Sequence, residues 1–128
     1  MKATLKQIPA LAKSIASQLK GGETLGLVGD LGSGKTAWTK ELAKNLGVKR
    51  RVTSPTFIMH NSFAGTLPNT GEKITLHHLD VYRLKKDSDF KHLAIGEFAG
   101  QPNTVTVIEW ADRVRKMLPK KTQYIYFQ

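Results

Sequence analysis

The sequence predicts an α/β fold in a single domain spanning residues 1–128, with a sheet that includes an antiparallel hairpin. Three stretches predict it. A short, mostly apolar run, Thr24-Leu25-Gly26-Leu27-Val28, passes through a glycine-rich turn into a helical pattern from Ala37 to Leu46. Phe57, Met59 and Phe63 share one face at a period of two, and a second β segment, Ile74 to Asp80, follows after a turn-forming stretch. Thr104-Val105-Thr106-Val107-Ile108-Glu109 is unbroken β pattern up to its closing carboxylate, as expected of a strand buried on both faces.

Residues 4–19 read as the first helix, because Ile8, Leu11, Ala12, Ile15 and Leu19 recur at spacings of three and four. Pro9 suits its first turn, so the regular part is expected to begin near there. Gly21-Gly22 stops it and leads into a strand over 24–28. The next helix carries Trp38, Leu42 and Leu46 on one face, and Gly47 is placed as its C-terminal cap. Trp38 reads as core packing rather than a platform for adenine. Residues 56–63 read as a strand with Pro55 just outside it, since proline cannot donate within a ladder. With 64–72 as a nine-residue loop, 56–63 and 74–80 make the hairpin. Asp87 or Ser88 is placed to cap a short helix running to about Ala94. Residues 95–100 read as irregular or one helical turn, 112–118 as a short basic helix and 123–127 as a last strand, which stands to present an open edge unless further chain follows.

At 128 residues, 40% apolar and 23% charged, the chain has the make-up of one folded domain. No run is long and apolar enough for a transmembrane helix, and Met1-Lys2-Ala3-Thr4 lacks the apolar core of a signal peptide. With no cysteine, disulfides and thiolate metal sites are excluded. These features point to the cytoplasm and away from a membrane. Lys plus Arg outnumber Asp plus Glu by 20 to 10, a formal net charge of +10. That balance suggests a polyanionic partner, RNA ahead of a membrane surface, although a general solubility bias accounts for it equally well. The densest clusters are Lys49-Arg50-Arg51 and Arg113-Val114-Arg115-Lys116.

The glycine-rich turn is Gly29-Asp30-Leu31-Gly32-Ser33-Gly34-Lys35-Thr36, which meets the phosphate-loop pattern G-x-x-x-x-G-K-[ST] at every fixed position. Its glycines let the backbone curl with N–H groups turned inward, where a side chain would block a phosphate. Lys35 brings a positive charge to the β- and γ-phosphates of a nucleotide, and the Thr36 hydroxyl can ligate Mg²⁺. Asp30 reads as a turn residue.

Such a loop needs an acidic partner at the C-terminal end of a neighbouring buried strand. Glu109 and Asp80 both qualify; Glu109 is assigned to the metal with Thr36, and Asp80 to ordering the attacking water. Thr56, after Ser54-Pro55, reads either as a switch sensing the γ-phosphate or as an ordinary threonine at a strand start, and the sequence favours neither. His77 and His78 have no second cluster at metal-ligand spacing, which argues against zinc. Arg83 and Arg113 read as surface or ion-pair residues ahead of phosphate ligands.

Four blocks occur in order: Gly29 to Thr36, Ser54-Pro55-Thr56-Phe57, His78-Leu79-Asp80-Val81-Tyr82-Arg83-Leu84 and Ile108-Glu109-Trp110. Together they closely resemble the TsaE (YjeE) family of small bacterial P-loop ATPases, over nearly the whole chain. The resemblance implies a P-loop NTPase three-layer sandwich with a mixed sheet. It also implies an ATPase assisting threonylcarbamoylation of adenosine 37 in tRNA, alongside a threonylcarbamoyl transferase subunit and that subunit's paralogous partner. By the same resemblance, Lys35 and Thr36 take phosphate and Mg²⁺, Glu109 Mg²⁺, Asp80 catalysis and Thr56 a switch-like segment. Trp110 matches an aromatic near the nucleotide, and residues 4–7 lie where the base is approached. Ser33 stands where the family commonly has Ala, and the family pattern continues with β structure past the last strand, whereas this sequence ends at Gln128.

The reading is therefore an ATP- and Mg²⁺-dependent hydrolase serving tRNA modification. A small-molecule P-loop kinase and a nucleotide-gated RNA-binding module are the alternatives, the kinase disfavoured because little chain after Glu109 remains for an acceptor pocket or lid.

Overall fold

The computed structural model describes residues 2–52, 60–84 and 86–128. Among them six strands form one sheet: β1 (Lys2–Ala3), β2 (Glu23–Val28), β3 (His60–Thr66), β4 (Lys73–Asp80), β5 (Thr104–Glu109) and β6 (Gln123–Phe127). Their spatial order is β1-β6-β2-β5-β4-β3. Neighbours run parallel except β3 and β4, which form the expected antiparallel pair.

Alternation along the strands divides the core into two layers. Leu25, Leu27, Val105, Val107, Ile125 and Phe127 join the core beneath helices α1 (Ile8–Gln18) and α2 (Lys35–Asn45). Leu79 and Ile108 join the opposite core, covered by Phe90 of α3 (Asp87–Lys91), Ile95 and the 3₁₀ segment Ala111–Met117. All six residues of β5 are buried, which explains the absence of polar alternation before its closing carboxylate. Trp38, Leu42 and Leu46 are fully buried, so Trp38 is a core residue.

The helix boundaries follow local chemistry. A 3₁₀ turn, Leu5–Gln7, precedes α1, whose regular part begins at Ile8 with Pro9 in its first turn. The end of α2 is a Schellman cap: Gly47 has φ 69°, its N–H donates to the Lys44 carbonyl, and the Val48 N–H donates to that of Ala43.

Several expectations are corrected. Strand β3 runs on to Thr66, so the hairpin loop is Leu67–Glu72 rather than 64–72; residues 56–59 of the predicted strand lie outside the described residues. Ala64-Gly65-Thr66 is turn-like in composition but pairs with Thr75, Ile74 and Lys73. The Thr66 N–H also donates to the Leu46 carbonyl at 2.6 Å. Gly65 permits that approach, because a Cβ there would lie 2.8 Å from the same oxygen. Strand β1, not foreseen, pairs with the outer side of β6 at Tyr126 and Phe127, so that end of the expected open edge is covered. Helix α3 ends at Lys91 rather than near Ala94, which takes a left-handed φ of 51°, and Lys86 instead of Asp87 or Ser88 holds its N-cap position. The basic helix is a 3₁₀ segment interrupted at Val114, where φ is −127°.

On the β3–β4 hairpin, His60 Nε2 and His77 Nδ1 are 2.9 Å apart, and Phe98 stacks on both rings at 4.6 and 4.2 Å. Burial first, and the neighbouring His60 second, push His77 down from 6.5 to about 4. The unfolded chain therefore binds a proton there that the folded chain refuses, and stability falls as pH is lowered from 6.5 to about 4. Urea unfolding across that window should show a flatter pH dependence for His77→Phe than for the wild type. Parallel curves would show that His77 does not contribute.

Candidate functional site

The site forms where β2, β5 and β4 end side by side. Leu27 pairs with Glu109, and Asp80 pairs with Glu109 on the other side, so the two predicted carboxylates sit on adjacent parallel strands at the same level. The loop from Gly29 to Gly34 leaves β2 at that end and turns directly into α2. Gly29 is required by crowding: a Cβ there would lie 2.6 Å from Ser33 Oγ and 3.1 Å from the Phe127 carbonyl oxygen. Gly34 has φ 107°, which a side chain rarely tolerates, and the Trp38 N–H takes its carbonyl as the first helical bond.

Lys35 is folded into the loop. Its ammonium donates to the carbonyls of Gly29 (2.5 Å) and Asp30 (2.7 Å), with Ser33 Oγ at 3.4 Å. It also lies 4.1 Å from the centre of the Trp110 ring. Burial lowers its pKa, with Glu109, Asp80, Asp30 and Asp112 opposing in that order. Trp110 reaches this position from a left-handed backbone, φ 63°, at the end of β5. Local strain of that kind concentrates where a side chain must be aimed. Tyr82 packs against the Trp110 ring at 4.6 Å, and Arg113 donates to the Tyr82 carbonyl at 2.7 Å, which accounts for Arg113 as a structural residue.

Glu109 is 2% exposed, and its carboxylate has two side-chain donors. Thr36 Oγ1 donates from the first turn of α2, 3.0 and 3.2 Å from the two oxygens. His78 Nε2, fully buried on β4, is 2.5 Å from Oε2. The His78 Nδ1 has no hydrogen-bond partner among the described residues. Sequence reasoning assigned His78 no part in the site. Its signal was present in the alternation of β4, which places His78 and Asp80 on the same face as Leu76. Burial raises the Asp80 pKa, opposed by the hydrogen bond from the Tyr82 N–H and reinforced by Glu109. Such a carboxylate is a better proton acceptor than an exposed one.

Leu31, Gly32, Gly34, Lys35, Thr36, Asp80, Glu109 and Trp110 all line one cleft of about 410 Å³. Leu5, exposed at its rim, lies within the stretch expected to approach a base. Thr56 lies outside the described residues. Among the described residues no group of three or more His, Asp or Glu could hold a metal by itself. Thr36 and Glu109 are hard oxygen donors already converging, the set suited to Mg²⁺ completed by phosphate oxygens and water.

The parallel strands, the curled loop opening α2 and the acidic strand end define a P-loop protein of the α/β class. Residues 2–128 match the family described as threonylcarbamoyl adenosine biosynthesis protein TsaE. The chain is 40% identical over 118 residues to the tRNA threonylcarbamoyladenosine biosynthesis protein TsaE of Bacillus subtilis, covering 91% of this chain and 68% of that protein. It is 38% identical over 104 residues to the protein of that name from Treponema pallidum, covering 81% and 71%. The crystal structure of Bacillus subtilis YdiB aligns with a TM-score of 0.67 at 32% identity, over 92% of this chain and 67% of that one. The chain belongs to the TsaE family.

Replacing His78 by Leu removes one donor from a buried carboxylate and should cost about 1–3 kcal/mol in urea unfolding. In a double-mutant cycle with Glu109→Leu, the combined loss should fall short of the sum by at least about 0.5 kcal/mol. Additive losses would show the two side chains to be energetically independent.

Proposed function

We propose that this chain is the ATP-hydrolysing accessory subunit for threonylcarbamoylation of adenosine 37 in tRNA, a Mg²⁺-dependent ATPase built as one domain over residues 1–128. Membership of the TsaE family supports the role in tRNA threonylcarbamoyladenosine biosynthesis. The observation that carries the hydrolytic part is the convergence of Lys35, Thr36, Glu109 and Asp80 on one cleft.

In this reading the loop N–H groups and Lys35 bind the β- and γ-phosphates, the ammonium exchanging its bonds to the Gly29 and Asp30 carbonyls for phosphate oxygens. Thr36 and Glu109 hold a Mg²⁺, which when bound neutralises charge on those oxygens. His78 fixes the rotamer of Glu109, and Asp80 accepts a hydrogen bond from water placed for in-line attack on the γ-phosphate. Trp110 closes over the ammonium and keeps it dry. By the family resemblance, Thr56 is assigned a switch role toward the γ-phosphate. The partners are the transferase subunit and its paralogue, in the cytoplasm; among the described residues no helix is long and apolar enough to cross a membrane.

Lys35→Ala should lower ATP turnover by at least about a hundredfold, the loss typical of removing one preorganised charge donor. Glu109→Ala should lower it in a way that added Mg²⁺ partly restores. Label on the γ-phosphate should leave as free phosphate. Wild-type rates in both variants would sink the proposal, and label appearing on a small acceptor would make the protein a kinase.

A further inference from the structure

We propose that a basic groove at the C-terminal end of α2 binds the sugar-phosphate backbone of tRNA, a contact separate from the phosphate loop at the opposite end of that helix. Two adjoining concavities form it. One, of about 240 Å³, is lined by Lys40, Lys44, Arg50 and Arg51 over a floor including Ala43 and Val52. The other, of about 360 Å³, is lined by Lys49, Arg50 and Lys73 beside Ala64 and Gly65. Arg50 and Val48 line both, so the two are continuous. All six cations are exposed.

Among the described residues no carboxylate lines either concavity, and none of the six cations has a carboxylate partner. Several of the chain's few acids are engaged elsewhere. Glu23 accepts the N–H groups of Lys20 and Gly21, Asp89 that of Lys86, Asp80 that of Tyr82, and Glu109 serves Thr36 and His78. The groove's positive charge is therefore unspent within the chain, and its field is directed outward.

The groove is also built. The Gly47 cap turns residues 47–52 along it, and the Thr66 bond to Leu46 ties β3 to the end of α2. Arg50 is held at the junction: its guanidinium donates to the Ser62 carbonyl at 3.3 Å and lies 5.0 Å from the centre of the Phe63 ring. A cation fixed between two concavities meets a phosphate at lower entropic cost than a free one.

Charge complementarity and composition favour nucleic acid over an acidic protein. A protein-docking surface centres on buried apolar anchors. The exposed large apolar residues among those described are Leu5, Leu31, Tyr82 and Tyr126, and none lines the groove. Among the described residues no aromatic side chain lines it for base stacking, which favours contact to phosphates, sequence-independent and salt-sensitive. That the polyanion is tRNA rests on the function proposed above; the groove and its charge do not.

The test is binding of an unmodified tRNA transcript, by fluorescence anisotropy across a KCl series, to the wild type, K44E/R51E and a control, K120E/K121E. Both variants change the net charge equally, and Lys120 and Lys121 are exposed residues outside the groove. The groove variant should bind at least about tenfold more weakly near 0.1 M KCl, with its log K against log salt slope reduced by about two. Its ATP turnover and urea midpoint should be unchanged, and the control should keep most of the wild-type affinity. Equal losses in both variants would overturn the groove, as would wild-type binding by K44E/R51E or no binding by the wild type. Retained tRNA binding with lost capture of the transferase pair would make the groove a protein interface instead. Failure of the hydrolytic reading would appear separately, as turnover surviving Lys35→Ala.

Discussion

The buried carboxylate of Glu109 is the constraint on which this structure turns. A carboxylate withdrawn from water costs several kcal/mol unless donors replace the water it loses. Here the donors come from two other elements, Thr36 at the start of α2 and His78 on β4. The carboxylate can therefore be buried only when β4 and β5 are in register and the loop has delivered α2 to its place. A slip of one residue between strands would turn Glu109 to the other face, toward Ile108's apolar neighbours. The register of the sheet and the geometry of the loop are in this sense one requirement.

Departures from ordinary stability rules gather around that point. Asp80 is held where burial opposes its charge, Trp110 sits in a left-handed backbone, and His78 keeps a ring nitrogen without a hydrogen-bond partner among the described residues. Away from the cleft, the layers beside β2, β5 and β6 are packed with Leu, Val, Ile and Phe. Ala94 and Asn103 also take left-handed backbone, but at the cleft such a residue, a buried carboxylate and an unpartnered ring nitrogen stand together, as at a functional site.

What could be read from the sequence was what local pattern encodes. The loop, the two strands beside it and the capped helix each announce themselves within about ten residues, through glycine placement or hydrophobic period. The carboxylate at the end of β5 was legible because nothing polar precedes it but threonine. Features that depend on distant neighbours were not. Lys2–Ala3 is too short to show a period, and becomes a strand only because β6 offers it an edge. Gly65 reads as a turn residue until the Leu46 carbonyl is found beside it. His78 stands 31 residues from Glu109, and its role follows only once β4 and β5 are known to be neighbours. The +10 charge told of an outward field without telling where it would concentrate; that required the turn at Gly47 and the end of β3 to meet.

Phe127, near the end of the last strand, has a consequence for how the molecule is made. It packs against Gly29 and meets Trp38 edge-on at 6.3 Å, so the phosphate loop is moulded partly by residues synthesised long after it. The loop and its helix leave the ribosome early, without the surface that shapes them. Only when β6 slots between β2 and β1 does the cradle acquire its back wall. The shape of the loop is thus settled only once the chain has been made as far as Phe127, not when the segment carrying its glycines appears.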